Sequence, residues 1–314
     1  MIGVYAPGTN ARQTIETIQQ AEAQGVPAFW LTSGGIGPDT LGVFTAAALV
    51  TRSIRLGTSI VQTWPRHPVV LAAQAIAIEQ LAPGRFRLGI GPGHQAIEQL
   101  YGIEYKKPLT NLREYLIVLR DLLHKGEASL DGTYVKTQAR SQNTYDIPVM
   151  ASALQPGSFR LCGELADGAI SWVCPWDYLR AVALPALREG AAKAGRTPPP
   201  LVAHVNVALS EDGEAVHAAA REQVGRYGGI RNYRAMYAAA GYNDPSGGDQ
   251  GAIIDSIVVS GSDAAISQRL ATILGEGAGE IIVHPVYMEA DRPAEIRRVF
   301  DLVARANRDA GVAR

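Results

Sequence analysis

The chain has 314 residues, of which 47% are hydrophobic and 19% are charged, and its formal net charge is −1. This length fits one large α/β barrel or two ordinary domains, and the composition provides a substantial core. The balanced charge argues against nucleic-acid binding, which requires a basic face. Charge, Gly or Pro interrupts every long apolar run, and the chain starts with strand-like IGVY. We therefore predict neither a transmembrane helix nor a signal peptide.

Cysteine usage is sparse, with only Cys162 and Cys174 present. The two have no CxxC spacing and no nearby histidine, which argues against a zinc site or a redox pair. We predict that both are reduced and buried, that the protein is cytoplasmic, and that it has no metal site.

Strand and helix patterns alternate along the chain. The predicted strands are residues 2–5, 28–31, 54–59, 86–90, 147–151, 169–173, 201–209 and 280–283. The predicted helices are residues 11–24, 40–51, 68–81, 111–124, 156–165, 177–194, 212–240, 263–274 and 293–310. Apolar residues at helical spacing mark the first helix, and Asp39 is placed to cap the second.

Eight strands that alternate with helices predict parallel βαβ units. In a chain of this length they favour a closed (β/α)8 TIM barrel, formed by one domain over residues 1–314, rather than an open sheet. Longer insertions follow strand 4, at residues 91–108 with a hairpin at 126–141, and strand 7, up to residue 251. Ligands bind this fold at the carboxyl ends of the strands, so the residues there are the candidates for a site.

Acids and bases are rare at these strand ends. The residues there are Thr32, Ser33, Ser59, Ile60, Val61, Gln62, Gly91, Gly93, His94, Ser152, Ala153, Leu154, Trp172, Val173, Asn206, His284 and Tyr287. The lack of a carboxylate pair, a His/Asp cluster or a lysine argues against glycosidases, metal-dependent hydrolases and Schiff-base aldolases. A Gly-rich mouth of this kind favours a flat organic cofactor that brings its own chemistry.

Three features at the strand ends allow two interpretations each. Residues 91–94 (GPGH) permit close approach of a ligand, or form an ordinary tight turn. Residues 154–158 begin a helix whose free N–H groups favour a phosphate, or are a plain Pro-initiated helix start. His94 is a candidate for proton transfer, or a hydrogen-bonded structural histidine.

Residues 57–93, GTSIVQTWPRHPVVLAAQAIAIEQLAPGRFRLGIGPG, carry a family resemblance. With Gln74 and the Pro83-Gly84-Arg85 turn, this stretch closely resembles the bacterial luciferase-like flavin and deazaflavin oxidoreductases. Within them it is most similar to the branch that uses coenzyme F420, which includes F420-dependent glucose-6-phosphate dehydrogenase and methylenetetrahydromethanopterin reductase. The Ala166-Asp167-Gly168 triplet continues the likeness more weakly.

The resemblance implies a barrel with insertions, a homodimer, and coenzyme F420 as cofactor, with FMN as the alternative. It also implies a non-prolyl cis peptide bond at the end of strand 3, here Ser59–Ile60, behind the deazaflavin ring. The residues that it implies at the cofactor are Thr32, Ser33, Ser59, Ile60, Val61, Gly91, Gly93, His94, Ala151, Ser152, Ala153, Gly157, Ser158, Trp172 and Val173.

The chain departs from the pattern of relatives that oxidise alcohols or sugar phosphates. Those relatives carry an Asp-His pair after strand 2 and a Glu at the position of His94, whereas this chain reads Thr32-Ser33-Gly34-Gly35 and His94. We therefore predict F420-dependent hydride transfer that reduces an activated C=C or C=N bond of a small molecule, with His94 as the candidate catalytic residue. An FMN-dependent monooxygenase is the alternative, and an inactive cofactor-binding barrel is a third.

Overall fold

The computed structural model describes residues 1–95 and 97–311. Its centre is a closed barrel of eight parallel strands, in which each strand pairs with the next along the chain and the last pairs with the first. The strands are β1 Ile2–Tyr5, β2 Ala28–Leu31, β3 Arg55–Thr58, β4 Phe86–Gly91, β5 Val149–Ser152, β6 Ala169–Ser171, β7 Leu201–Ala208 and β8 Glu280–Pro285. The predicted (β/α)8 barrel is confirmed.

In the part of the chain that the structure describes, eight helices pack around the strands. They are α1 Ala11–Ala23, α2 Thr40–Val50, α3 Pro68–Leu81, α4 Pro108–Arg120, α5 Pro156–Leu165, α6 Leu184–Lys193, α7 Asp263–Gly275 and α8 Arg292–Asp309. A π-helical turn, Asp121–Lys125, extends α4, and Trp176–Tyr178 with a second π-helical turn, Leu179–Ala183, leads into α6. Asp39 caps α2 as predicted, since its carboxylate accepts from the N–H groups of Leu41 and Gly42 at 3.1 Å.

The first insertion follows β4 and the second follows β7. The first contains a short helix, Ile97–Tyr101, and further along an antiparallel hairpin of Glu127–Asp131 with Lys136–Arg140. The second contains the helices Gly213–Val224, Arg231–Ala239 and Gln250–Ile257, and the strand Val258–Ser260, which extends the sheet beside β7. The predicted helix over residues 212–240 is therefore wrong as one piece. A 3-10 turn at Gly225–Gly229 (GRYGG) breaks it, because glycine disfavours a continuous helix.

Side chains fill the barrel interior below the mouth. Trp30, Met150, Ile170, Val202 and Ile282 form one hydrophobic cluster together with Ala28. Below them, the Arg87 guanidinium bonds the Glu280 carboxylate and lies 4.3 Å above the Trp30 ring. The indole N–H of Trp30 donates to Glu280 Oε1 at 3.1 Å. This packing leaves the carboxyl ends of the strands as the end of the barrel where a ligand fits.

Cys162 and Cys174 are both buried and free, as predicted. Burial raises the pKa of each thiol to about 12, so neither is a thiolate at neutral pH. Within the described residues, no helix is apolar over a long enough stretch to span a bilayer.

Candidate active site

One inward-facing residue from each of the eight strands lies at the mouth of the barrel. Two positions before each of these residues, the chain has a residue that faces the barrel interior. Side chains two positions apart along a strand share a face, so these residues also face inward. We call this set the mouth ring. It consists of Tyr5, Thr32, Ser59, Gly91, Ser152, Trp172, His204 and His284. None of the eight is a carboxylate or a lysine.

The mouth ring has two chemically different halves. The residues from β2 to β5 are small or carry hydroxyl groups: Thr32, Ser59, Gly91 and Ser152. The residues from β6, β7, β8 and β1 are aromatic: Trp172, His204, His284 and Tyr5. The small half presents hydroxyl groups and backbone atoms, and the aromatic half presents ring faces and ring nitrogens. We call the two parts the small half and the aromatic half.

Hydrogen bonds from the β2 end hold the β3 end of the small half. The peptide bond between Ser59 and Ile60 is cis, at the position for which the resemblance implies a cis bond. The Thr32 hydroxyl donates to the Ser59 carbonyl oxygen at 2.7 Å, and the Ser33 N–H donates to the Ile60 carbonyl oxygen at 2.9 Å. The Ser59 hydroxyl oxygen is buried and has no hydrogen-bond partner, so a polar ligand atom would satisfy it.

Glycines let β4 approach its neighbours closely in the small half. A Cβ atom on Gly91 would lie 2.2 Å from the Ser152 hydroxyl oxygen and 3.1 Å from Ile60 Cδ1. A Cβ atom on Gly89 would lie 2.0 Å from the carbonyl oxygen of Thr58. Both positions therefore exclude any larger residue in this arrangement. The glycines of GPGH and its strand serve close packing at the site, as well as a turn at Gly93, where φ is +65°.

His94 lies just beyond the small half and is half-buried. Its Nδ1 atom is buried without a partner. Burial, and secondarily the charge of Arg226, lowers the pKa of His94 below its usual value. The imidazole is therefore neutral at pH 7, holding one proton and one lone pair. Gln62 lies nearby between two loops, with its Oε1 also buried and unpartnered.

The start of α5 uses its serine side chain for capping. The Ser158 hydroxyl accepts from the N–H groups of Leu154 and Gln155 at 3.1 Å and donates to the Gln155 carbonyl oxygen at 2.8 Å. These three bonds use its whole hydrogen-bonding capacity. Gly157 is exposed at this helix start. An anion bound here would meet backbone N–H groups rather than the Ser158 side chain.

The aromatic half is a contiguous cluster of rings. His284 stacks on Tyr5 with centroids 4.6 Å apart and an interplanar angle of 24°. It also lies 4.8 Å from Trp172, which contacts His204 edge-on at 4.9 Å. Burial lowers the pKa of His284 to about 3, and burial together with His284 lowers the pKa of His204 well below its usual value. Both imidazoles are neutral at pH 7.

A family of known proteins shares the sequence pattern on which this site is built. The sequence model described as luciferase-like monooxygenase matches residues 2–279. The chain belongs to this family.

Two relatives in the luciferase-like family match about two thirds of the chain. A 5,10-methylenetetrahydromethanopterin reductase from Methanolobus tindarius is 30% identical over 223 residues, which cover 70% of this chain and 68% of the relative. An F420-dependent glucose-6-phosphate dehydrogenase from Beutenbergia cavernae is 33% identical over 214 residues, which cover 64% of this chain and 62% of the relative. Each alignment thus spans about two thirds of the relative's own length.

Solved structures of luciferase-like proteins share the whole fold. An F420-dependent secondary alcohol dehydrogenase in complex with an F420-acetone adduct superposes with a TM-score of 0.81 at 16% identity, covering 100% of this chain and 99% of that one. The oxygenating constituent of 3,6-diketocamphane monooxygenase from Pseudomonas putida, in complex with FMN, has a TM-score of 0.74 at 20% identity, covering 97% and 96%. At these identities the likeness shows the fold alone.

In this luciferase-like chain, the structure divides nine of the fifteen predicted site residues into two groups, and Ser33, Ile60, Gly93, His94, Gly157 and Ser158 belong to neither. Thr32, Ser59, Gly91, Ser152 and Trp172 belong to the mouth ring. The side chains of Val61, Ala151, Ala153 and Val173 instead lie in the core between the barrel and the helices. For Ala151, Ala153 and Val173 the reason is that alternate residues of a strand face opposite sides. Val61 pairs with Ile90, whose side chain lies in the same core. The predicted contact of these four residues with a cofactor is therefore restricted to backbone atoms. Strand β6 also ends at Ser171 rather than at residue 173, because Val173 has a φ of +45°.

Sequence reasoning missed the aromatic half as a unit. Tyr5 was not predicted as a site residue, and His204 and His284 were not connected with Trp172. Counting every second residue outward from the interior layer on each strand identifies all four. Trp64 packs on Tyr105 in the first insertion, 5.5 Å away, and is not a member of the mouth ring.

Proposed function

We propose that this luciferase-like chain is an oxidoreductase that binds coenzyme F420 and transfers a hydride between this deazaflavin and a small organic substrate. The reaction direction that we favour is the reduction of an activated C=C or C=N bond. The observation that carries this proposal is the mouth ring, which has one small half, one aromatic half and no carboxylate. A general-base carboxylate for alcohol oxidation is therefore missing from the ring.

The small half fits the planar ring of a deazaflavin. At Gly91 no side chain projects into the mouth, because the space that a Cβ atom would take is occupied by the Ser152 hydroxyl group. Ser59 Oγ and Gln62 Oε1 are buried polar atoms without partners, which suits a heterocycle with polar edge atoms. Gly157 at the exposed start of α5 offers a backbone N–H group for the phosphate of the cofactor tail.

F420, when bound, supplies the hydride. The chain itself holds the floor of the site in place through the bonds from Thr32 and Ser33 to the β3 end. His94, neutral at pH 7, holds one ring proton that it can donate to the substrate atom that gains negative charge. Trp172 and the rest of the aromatic half form the wall of the mouth opposite the small half and exclude water from it.

We also propose that the protein is a homodimer formed through α2 and α3. The exposed positions on these two neighbouring helices are apolar except for Gln80 on α3, and α2 contains no charged residue. Leu49 is 68% exposed, Val70 is 52% exposed, and Val50 and Leu81 are also open. Two adjacent surface helices with apolar outer faces favour a protein contact, and symmetric pairing of identical chains is the commonest such contact. A second copy is the occupant that we propose.

Titration of the purified protein with F420 and, separately, with FMN tests the cofactor assignment. We expect saturable quenching of cofactor fluorescence with F420 and a much weaker response with FMN. Tight FMN binding without F420 binding would favour a flavin monooxygenase and overturn the proposal. Binding of neither cofactor would favour a barrel with another role. The variant Gly91→Ala should lose F420 binding, while Gly213→Ala, whose added Cβ meets no atom within 4 Å, should retain it.

A further inference from the structure

The aromatic half of the mouth ring contains two histidines whose buried nitrogens have no partner. His204 is 6% exposed, and its Nδ1 atom is buried without a hydrogen bond. The Nδ1 atom of His284 is likewise buried and unpartnered. A buried N–H without an acceptor is rarer than a bare lone pair, so the proton of each neutral imidazole lies on Nε2. Each ring therefore carries its N–H donor on the side away from the packed Nδ1 atom.

Contacts with Trp172 connect the two imidazoles at the mouth, although the strand register pairs His284 with Asn206 rather than with His204. In the β7–β8 ladder, His204 pairs with Ile282. Ile282 precedes His284 by two residues, and the two share the inward face of β8. Tyr5 covers one face of His284, and Trp172 contacts both histidines at 4.8 and 4.9 Å. The pair thus offers two neutral donors beside aromatic faces. No carboxylate belongs to the mouth ring to accept these donors.

We propose that His204 and His284 together hydrogen-bond the carbonyl oxygen of a planar, uncharged α,β-unsaturated carbonyl compound that lies against Tyr5 and Trp172. This inference rests on the proposed function and narrows its substrate class. A carbonyl oxygen has two lone pairs and accepts from both donors, whereas an imine nitrogen has one lone pair and accepts from one. Two donors therefore favour a C=C bond activated by a carbonyl group over a C=N bond. Aromatic walls favour a flat, largely apolar molecule.

Binding of an enone and its alcohol tests this assignment without turnover. The probes are 4-phenylbut-3-en-2-one and 4-phenylbut-3-en-2-ol, which share a skeleton and differ in the carbonyl group. Calorimetric titration is performed on protein saturated with oxidised F420 and repeated without cofactor. We expect the ketone to bind about tenfold more tightly than the alcohol, because the alcohol brings an O–H donor for which two N–H donors provide no acceptor. Equal binding of the two probes to the wild-type protein would overturn the inference.

Variants separate the two histidines from the rest of the fold. His204→Phe and His284→Phe keep an aromatic ring and remove the donor, so each should abolish most of the preference for the ketone. His284→Asn retains a donor and should retain part of it. His217→Phe is the control, because His217 pairs with Asp255 in the second insertion and is not in the mouth ring. An unchanged preference in both Phe variants would contradict the inference.

The cofactor titration distinguishes this inference from the proposed function. If F420 binds normally to the wild type and to the histidine variants while the ketone preference is absent, only the carbonyl site is wrong. If F420 does not bind at all, the proposed function fails, and the titration without cofactor still decides whether the histidine pair binds the ketone. Retained F420 affinity in each variant also shows that the barrel is folded.

Discussion

The Thr32 hydroxyl donates a 2.7 Å hydrogen bond to the carbonyl oxygen of Ser59, joining the ends of β2 and β3 at the mouth of the barrel. The next residue, Ser33, donates its backbone N–H to the carbonyl oxygen of Ile60 at 2.9 Å. The loop after β2 thus holds two successive carbonyl groups of its neighbour. The resemblance implies an Asp-His pair in this loop in alcohol-oxidising relatives. In this chain the same loop supports the floor of the site instead.

Removal of the Thr32 hydroxyl should weaken both the fold and the site. Thr32→Val keeps the side-chain shape and leaves the Ser59 carbonyl without this donor, so we expect the free energy of unfolding to fall by about 0.5–1.5 kcal/mol. F420 affinity should fall by roughly tenfold, because the β3 end is less well held. Chemical denaturation and fluorescence titration measure these effects. Thr45→Val is the matched control, because the Thr45 hydroxyl bonds a helical carbonyl, that of Leu41, and its loss should change stability little. Equal effects of the two variants would contradict the assignment.

Any side chain at position 91 should clash with β5. In Gly91→Ala the new Cβ atom would lie 2.2 Å from the Ser152 hydroxyl oxygen, so we expect loss of F420 binding and destabilisation of about 1–3 kcal/mol. Adding Ser152→Gly removes the clashing group and should restore much of the F420 affinity. Thermal unfolding and fluorescence titration test both variants. If the double variant is no better than Gly91→Ala, steric exclusion is not the reason for glycine at this position.

Stability should decrease as the pH falls from 7 to 5 because of the buried histidines. Burial lowers the pKa of His284 to about 3 and the pKa of His204 well below 6.5. Below pH 6.5 the unfolded chain therefore binds protons that the folded chain does not. The stabilisation that comes from keeping these histidines neutral is complete above pH 6.5. It is lost as the pH falls from 6.5 towards their pKa values in the folded protein. Each histidine should contribute a slope of about 1.4 kcal/mol per pH unit once its unfolded form is protonated.

Denaturation at pH 5, 6 and 7 measures this slope, and His284→Phe should reduce it. This pH range lies above the window in which carboxylates with lowered pKa values, such as Glu22, Glu114 and Glu164, contribute. His94 remains in the variant. Because its pKa is also lowered, it should preserve part of the decrease in stability with falling pH. An identical slope in the wild type and in His284→Phe would show that His284 is not held neutral by its surroundings.

A charge placed on the α2–α3 face should convert the proposed dimer into monomers. Leu49→Glu places a carboxylate at a position that is 68% exposed in the single chain and would be buried between two copies. Sedimentation velocity should show a shift from about twice the chain mass to the chain mass. Ile36→Glu is the control, since Ile36 is 99% exposed in the loop after β2 rather than on these helices. A wild-type protein that sediments as a monomer would rule out the proposed dimer.

The architecture was readable from the sequence because it depends on local periodicity. Apolar strand segments alternating with helices predicted eight βα units, and eight units predicted closure. Helix starts such as Asp39 were also local, since the cap and the N–H groups that it satisfies lie within three residues. The predictions failed where local pattern was ambiguous: GRYGG interrupts an otherwise helical segment, and the strand Val258–Ser260 exists because it pairs with β7. A short apolar run does not by itself specify such a partner.

The family resemblance and two members of the small half, Ser59 and Gly91, were also encoded in one continuous stretch. Ser59, Ile60 and Gly91 lie within residues 57–93, so a resemblance in that stretch located them together. Which side chains face the mouth was less accessible to sequence reasoning. Val61 and Ala151 were predicted beside the cofactor, yet both face the helices. The pleat of its strand directs Ala151 there, and Val61 pairs with Ile90 of the same core.

Only the tertiary structure decided the aromatic half of the mouth. Tyr5, Trp172, His204 and His284 come from β1, β6, β7 and β8, at opposite ends of the chain, and no motif connects them. The barrel closes between β8 and β1, and β7 pairs with β8. As a result, the centroid of each of the four rings lies within 5 Å of the centroid of at least one other ring. The sequence determines the order of strands and their alternating faces, because these depend on neighbouring residues. Contacts between strands that are distant in sequence depend on how the barrel closes, and closure is a property of the whole chain.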